Sequence, residues 1–225
     1  MREFNLLEDL PKSDKPRIVH PKIRTIKSRI IAAERGKEFY DGNRENGYGG
    51  YTDDGRWKLI ARKIIDEYHP NSILQICIDI GFLLNELYKI SSGFFLRGTE
   101  VSEYALEKQL IYIKSKVSLV NSLSELPFGD DNFDFIIALG LYCLSLEDII
   151  RCLKQIQTVG RGKSFIVLGA FETEEEEKLF RQWTLLGTTI LSKNDWLEVL
   201  KYVGYTGDYY FTTAKTLNLV AGRII

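Results

Sequence analysis

The sequence predicts an α/β protein built on a doubly wound, mostly parallel sheet of seven strands that ends in an antiparallel hairpin, with helices on both faces. From residue 57 onward, short β-branched runs alternate with segments of helical periodicity, which is typical of right-handed βαβ units. The last two strand-like runs are separated by only a couple of residues, as in a hairpin. The 225 residues, 44% of them apolar, suffice for one large domain with an appendage.

The first 56 residues are predicted to form the appendage, and residues 57–225 the α/β domain. Prolines at positions 11, 16 and 21 prevent a continuous helix at the start. Residues 22–39 then predict a basic helix, because Ile23, Ile26 and Ile30 have helical spacing and cationic side chains face the other way. We expect the isoleucines to pack on the domain. Attachment to an anionic membrane surface is the alternative, and the lack of an aromatic residue before Phe39 disfavours it.

Residues 41–57 form a glycine-rich segment with interleaved aromatic residues, and they hold five of the 18 glycines. This composition predicts a loop. Its tyrosines, tryptophan and arginines favour a lid or a pocket wall. A long surface connection, docked by its aromatic side chains, is the alternative.

The elements after this loop have recognisable boundaries. The first helix ends at His69, Gly81 opens the second, and Ser102 is a candidate N-cap for the third. Gly160 and Gly204 close two later helices. The predicted helices are 56–68, 81–90, 102–112, 145–158, 172–186 and 193–203, and the predicted strands are 72–78, 93–101, 117–120, 133–139, 163–171, 208–213 and 216–223.

Composition and charge exclude several classes of protein. Thirty basic residues against 31 acidic ones and a pI near 6.2 offer no long-range attraction for nucleic acid. Three cysteines without a C-x-x-C pair and two histidines do not compose a metal site, so we predict no metal and expect buried free thiols. The sequence has no apolar signal core at its start and no run long enough to span a bilayer. It therefore predicts a soluble, cytoplasmic protein.

The main candidate site lies where the first strand, which contains Gln75, turns into a helix at Asp79 to Gly81. Glu100 follows nineteen residues later at the end of the second strand, where a carboxylate can bind the two hydroxyls of a ribose. A helix N-cap and an exposed strand-end acid are the structural alternatives for Asp79 and Glu100. A dinucleotide would place its pyrophosphate on this turn, which has one glycine and an anionic side chain. The cationic, phosphate-free S-adenosylmethionine suits that charge better.

Several segments resemble a bacterial group of class I S-adenosylmethionine-dependent methyltransferases, in matching order from Glu34 to Thr213. The resemblance implies a Rossmann-like fold, S-adenosylmethionine as cofactor, and a small-molecule acceptor such as a sugar or surface-polysaccharide precursor. The segments that carry it are Glu34-Arg-Gly-Lys-Glu-Phe-Tyr-Asp-Gly42, Tyr48-Gly-Gly-Tyr-Thr-Asp-Asp-Gly-Arg-Trp57, Glu100-Val-Ser-Glu-Tyr-Ala105, Glu125-Leu-Pro-Phe-Gly-Asp-Asp-Asn-Phe-Asp134 and Gly204-Tyr-Thr-Gly-Asp-Tyr-Tyr210.

The first cofactor motif departs from the family pattern, which resembles Asp-x-Gly-Cys-Gly-Lys-Gly-Phe-Leu-Leu. Gln75 replaces the acid, Cys77 and Asp79 replace two glycines, and Ile80 replaces the lysine. Side chains at the glycine positions enter the space of the cofactor's amino-acid part. The departure supports a second hypothesis, a catalytically inactive methyltransferase-like protein that acts as a partner subunit or binding module. A nicotinamide-dependent oxidoreductase is a third.

The resemblance implies roles for named positions. Glu100 would hold the ribose, Val101, Ser122 and Leu123 would contact the adenine, and Leu139 and Tyr142 would face the reacting methyl. The other predicted positions are Gln75, Asp79 and Gly81 at the cofactor and Tyr48, Tyr51, Arg56 and Trp57 in the lid, with Arg56 as a partner for the methionyl carboxylate.

The catalytic residue and the partners stay open at this stage. If the acceptor needs a general base, His20, Tyr142 and Asp53 are unranked candidates. In the predicted helix at 172–186, Phe180 and Trp183 lie on one face, which we expect to pack in the hydrophobic core. The alternative is that this face borders the acceptor pocket. The expected partners are a small-molecule substrate and either a second copy of this chain or an intact homologous subunit.

Overall fold

The structure, a computed structural model, describes residues 1–11, 15–20 and 22–222. Within these ranges most strands belong to one parallel sheet, and two form a small separate sheet. The strands are β1 (Arg2–Glu3), β2 (Arg17–Val19), β3 (Ser72–Ile76), β4 (Phe95–Glu100), β5 (Val117–Leu119), β6 (Phe135–Ala138), β7 (Ser164–Phe171), β8 (Leu191–Ser192), β9 (Asp208–Thr212) and β10 (Leu219–Ala221).

The main sheet runs in the order β1-β9-β7-β6-β3-β4-β5, and the short β8 adds to β7. From β3 onward this is the doubly wound, Rossmann-like order, which reverses between β3 and β6. The predicted α/β class and mostly parallel sheet are therefore confirmed.

The predicted antiparallel hairpin is wrong for the described residues. β9 pairs directly with β7 in parallel, which leaves no place for an antiparallel strand between them. After β9, hydrogen bonds between Thr213 and Thr216 redirect the chain. β10 then pairs in parallel with β2, far away in sequence. The predicted strand at 216–223 reaches one residue beyond the described part of the chain.

The helices are α1 (Ile26–Ala33), α2 (Lys37–Tyr40), α3 (Trp57–Tyr68), α4 (Phe82–Ile90), α5 (Glu103–Glu107), α6 (Leu146–Val159), α7 (Glu174–Trp183) and α8 (Lys193–Tyr202). Helices α6 and α8 cover one face of the sheet, and α3 and α4 cover the other. The period of two in β6 explains both cores, because Ile136 packs on the first face while Phe135 and Ile137 pack on the second. No helix in the described ranges is both long and apolar enough to cross a bilayer.

The predicted basic helix at 22–39 is wrong in extent and in its buried face. Arg35, with a φ of 48°, breaks it into α1 and α2. Ile26 and Ile30 are 74% and 55% exposed, whereas Ser28 and Ala32 are buried. The orientation of α1 is set by Arg29, whose guanidinium donates to the backbone carbonyls of residues 181, 184 and 185. These polar contacts outweigh the burial of the isoleucines.

Candidate functional site

The candidate site lies at the carboxyl ends of β3, β4 and β6, around the point where the strand order reverses. In the tight turn between β3 and α4, Cys77, Asp79 and Gly81 have φ values of 55°, 53° and 87°. Residues with a side chain rarely adopt this left-handed conformation, which costs them roughly 1–2 kcal/mol each. These are the three positions at which the resembled pattern has glycine. The turn therefore has a backbone conformation that favours glycine, and two of its three left-handed positions carry side chains.

The Asp79 carboxylate is held by three tyrosine hydroxyls, an arrangement that we call the tyrosine latch. Tyr40 donates to Oδ1 at 2.9 Å, and Tyr48 and Tyr51 donate to Oδ2 at 3.2 and 3.4 Å. Burial raises the pKa of Asp79, and the hydroxyl donors together with the Arg35 guanidinium partly offset that rise. The latch ties the glycine-rich loop to the turn after β3.

Glu100, at the end of β4, is fully buried, and within the described residues its carboxylate accepts from backbone donors. Its Oε1 accepts from the N–H groups of Val101 at 2.8 Å and Ser102 at 2.9 Å, and its Oε2 accepts from that of Asp79 at 2.7 Å. Burial and the nearby charge of Asp79 raise the pKa of Glu100 to about 7. The predicted ribose contact stays a prediction, because the carboxylate would first have to become accessible.

Arg35 brings a positive charge to these two acids. Its left-handed backbone is fixed by Ser102, whose hydroxyl donates to the Arg35 carbonyl at 2.6 Å. Its guanidinium lies 3.5 Å from Cys77 Sγ. Burial alone would lower the pKa of Arg35, but the surrounding Cys77, Glu100 and Asp79 raise it above its ordinary value. Arg35 is thus the cation that balances the buried acids.

A cavity of about 250 Å³, the inner cavity, lies between the turn and the latch. Gln75, which is 4% exposed, contributes to its wall, and Gln75 Oε1 has no hydrogen-bond partner among the described residues. The other predicted site residues on its wall are Asp79, Leu139, Tyr142, Tyr48, Tyr51, Arg56 and Trp57.

A second cavity, of about 470 Å³, lies beyond Arg35 and is called the strand-end cavity here. It is lined by Val101, Ser122 and Leu123, the three positions predicted to contact adenine. Arg35 and Cys143 line both cavities. Six of the eight predicted cofactor positions therefore line these two cavities, which together are called the groove, whereas Gly81 and Glu100 line neither.

Some predicted residues have other surroundings. Gly81 is not on the wall of either cavity. A Cβ added there would come within 2.4 Å of the Ile113 side chain, so the turn requires a glycine at this position. Arg56 binds Asp54 through its guanidinium, and both side chains are 45% exposed. The predicted contact of Arg56 with a methionyl carboxylate stays a prediction and would compete with this pair.

The three candidate bases are not equivalent. Tyr142 is on the inner cavity wall, and burial raises its pKa far above neutrality. Asp53 is exposed and accepts from the Gly55 N–H at 3.0 Å. His20 lines a separate cavity beside Arg17. Tyr142 is therefore the candidate placed at the inner cavity, and its phenol stays protonated at neutral pH.

Sequence reasoning gave no role to Arg35 and Tyr40, although both belong to the segment that carries the resemblance. Tyr40 is fully buried and reaches Asp79 across 39 positions of the sequence. The available signal was the pair of uncompensated acids at positions 79 and 100, which require a buried cation or hydrogen-bond donors.

The atoms of Cys77, Asp79 and Glu100 that could ligate a metal lie within 4.8 Å of one another. The Glu100 oxygens already accept three N–H groups, and Asp79 accepts three hydroxyls. Burial raises the pKa of the Cys77 thiol well above its ordinary value, which disfavours the thiolate that a metal needs. The absence of a bound metal stays a prediction.

No protein-family model matches the chain, and no curated protein matches it in sequence. Solved structures similar to it include a SAM-dependent methyltransferase from Aquifex aeolicus, 17% identical over 68% of this chain and 83% of that chain, with a TM-score of 0.47. A SAM-dependent methyltransferase from Archaeoglobus fulgidus is 15% identical over 67% and 69%, with a TM-score of 0.48. The cyclase SpnF is 13% identical over 83% and 74%, with a TM-score of 0.49. Similarity of this degree assigns no activity to this chain.

Proposed function

We propose that this chain is an S-adenosylmethionine-dependent methyltransferase that acts on a small molecule, with a sugar or surface-polysaccharide precursor as the first candidate. The observation that carries the proposal is the buried, unpaired amide oxygen of Gln75, a residue that lines the inner cavity together with Asp79. A buried acceptor without a partner costs about 1–3 kcal/mol. An ammonium group in the cavity would donate to it and recover that free energy.

The Asp79 carboxylate on the wall of the inner cavity suits the ammonium end of a cationic cofactor. When bound, S-adenosylmethionine supplies an activated methyl group on a sulfonium centre. Gln75 and Asp79 would hold its ammonium end, and the residues of the strand-end cavity would contact its adenine. Leu139 and Tyr142 would exclude water from the reacting end of the inner cavity.

Binding requires Arg35 to move. The inner cavity of about 250 Å³ is smaller than the roughly 300–1,000 Å³ of ordinary ligand pockets. Since Arg35 lines both cavities, a swing of its guanidinium away from Cys77 would join them. A 3.5 Å contact with a thiol is a weak restraint on that movement.

A nicotinamide cofactor is disfavoured by the same charges, although the strand order also occurs in dinucleotide-binding proteins. Asp79 and Glu100 would face the pyrophosphate and the ribose, and the charge of Arg35 is already offset by these two acids. The turn offers one glycine for the phosphates.

The second candidate function is that of a non-catalytic partner subunit or binding module. The tyrosine latch and the buried Glu100 favour this function, because the carboxylates of Asp79 and Glu100, which a cofactor would need, already accept hydrogen bonds from the protein. Under this hypothesis the groove stays closed, and an intact homologous subunit or a second copy of the chain would be the partner.

Isothermal titration of the full chain with S-adenosylmethionine and with S-adenosylhomocysteine separates the two candidates. We expect both compounds to bind, and Gln75→Leu to weaken binding about tenfold by removing one hydrogen bond to a charged group. Asn85→Leu is the matched control, since Asn85 is also a buried amide with an unpaired oxygen but is not on the described wall of the inner cavity. An absence of heat at millimolar ligand would refute the methyltransferase proposal and leave the partner-subunit candidate.

A further inference from the structure

On the far side of the tyrosines lies a third cavity, the outer cavity, of about 450 Å³. It is lined by four arginines: Arg56, which is paired with Asp54, and three from separate segments, namely Arg17 in β2, Arg24 before α1, and Arg44 in the glycine-rich loop. Trp183, at the end of α7, lies beside the guanidinium groups of Arg17 and Arg24. The fold therefore gathers positive charge at one place, although the net charge of the chain is near zero.

Arg17, Arg24 and Arg44 are not neutralised within the described part of the chain. Arg17 and Arg24 form no ion pair there, and Arg44 donates to the backbone carbonyl of Tyr48. Asp54 lines the outer cavity but is bound to Arg56. Glu45 lines the adjoining cavity of about 390 Å³, and Glu174 and Glu177 line a further cavity that Arg24 also borders.

The positive charges repel one another. Burial and the charges of Arg44, Arg29 and Arg17 lower the pKa of Arg24 to about 10. Burial, with Arg44 and Arg56 nearby, likewise lowers the pKa of Arg17. An anion in the outer cavity would relieve this repulsion.

Trp183 fixes two of the guanidinium groups in place. Arg24 Cζ lies 5.4 Å and Arg17 Cζ 5.9 Å from the indole ring centroid, within cation–π range. Trp183 in turn stacks on the fully buried Phe180 at 5.9 Å. Planar guanidinium groups held in this way match the oxygen geometry of phosphate.

We propose that the outer cavity binds a phosphate-bearing small molecule. Tyr142 and Cys143 line both the outer and the inner cavity, so a bound molecule would reach the wall that separates the arginines from the cofactor groove. The role of this molecule as the methyl acceptor rests on the proposed methyltransferase function, whereas the anion site itself does not.

The test is isothermal titration of the full chain with inorganic pyrophosphate, without S-adenosylmethionine. We expect binding that Arg17→Gln and Arg24→Gln each weaken about tenfold through the loss of a charge-assisted contact. Arg62→Gln is the control, because Arg62 is an exposed arginine of α3 that is not on the described wall of the cavity. Equal thermal unfolding midpoints would show that the three variants fold alike.

Three outcomes would overturn the anion site for a small molecule. They are no binding of pyrophosphate at millimolar concentration, equal weakening by Arg62→Gln, or much tighter binding of an RNA oligonucleotide that depends on the same two arginines. A separate titration with S-adenosylmethionine shows whether the proposed methyltransferase function fails, independently of the anion site. Pyrophosphate binding without cofactor binding would keep the anion site and remove the acceptor role.

Discussion

The tyrosine latch can be tested by replacing Tyr40 with phenylalanine. Tyr40 is fully buried and its hydroxyl donates to Asp79 Oδ1 at 2.9 Å, while the other two hydroxyls bond to Oδ2 at 3.2 and 3.4 Å. Tyr40→Phe keeps the ring and its stacking, so no cavity forms. It deprives a buried carboxylate of its shortest side-chain donor, and a hydrogen bond to a charged group contributes about 1.5–3 kcal/mol. We expect the free energy of unfolding to fall by about 2 kcal/mol.

Urea unfolding at pH 7, followed by tryptophan fluorescence and circular dichroism, measures this loss as a shift of the midpoint at constant slope. Tyr104→Phe is the matched control, since Tyr104 donates to Asp41 at 2.6 Å at the surface, where water replaces the lost partner. Its loss should be clearly smaller. If Tyr40→Phe changes the free energy of unfolding by less than about 0.5 kcal/mol, or no more than the control does, the latch does not stabilise the loop.

Two further predictions concern the same turn. Folding raises the pKa of Glu100 from 4.5 to about 7, so between these pH values the native state binds a proton that the unfolded state does not. The contribution of Glu100 to the free energy of unfolding therefore falls as the pH rises through this window, by at most about 1.4 kcal/mol per pH unit. The urea midpoints at pH 5 and pH 7 should therefore differ less in Glu100→Gln than in the wild type, whereas Glu125→Gln should keep the wild-type difference. If Glu100→Gln also keeps that difference, the raised pKa of Glu100 is contradicted. Gly81→Ala should destabilise the protein by about 1–3 kcal/mol more than Gly162→Ala. Both glycines have φ near 87–88°, but of the two only Gly81 has side chains where the added Cβ would lie. Equal thermal unfolding midpoints for the two variants would refute a steric clash at Gly81.

The local elements were predictable because their signals are local. The helix ending at His69 and the strand containing Gln75 appear close to the expected residues, and Ser102 caps α5 by accepting from the Ala105 N–H at 3.0 Å. In each case the determinant is a turn residue, a cap or a buried run that lies within the element itself.

The failures of prediction have a common physical origin in contacts between distant residues. The spacing of Ile26 and Ile30 indicated a buried face, but the carbonyls that Arg29 reaches lie more than 150 positions away. The composition of β10 indicated a strand but could not indicate that its partner is β2. At the site, the groove and its acids were predictable from strand ends, whereas the cation at Arg35 depends on where an irregular segment folds back.

The left-handed turn after β3 has a consequence for engineering. Cys77 and Asp79 have φ values of 55° and 53°, which glycine also reaches, so we expect the turn to accept glycine at these positions, with the loss of the latch at position 79. The conformational cost of roughly 1–2 kcal/mol per residue is small enough for a stable domain to tolerate. Positions 77 and 79 are thus natural sites for a focused library, in which the backbone is held constant and the binding chemistry of the groove is varied through two side chains.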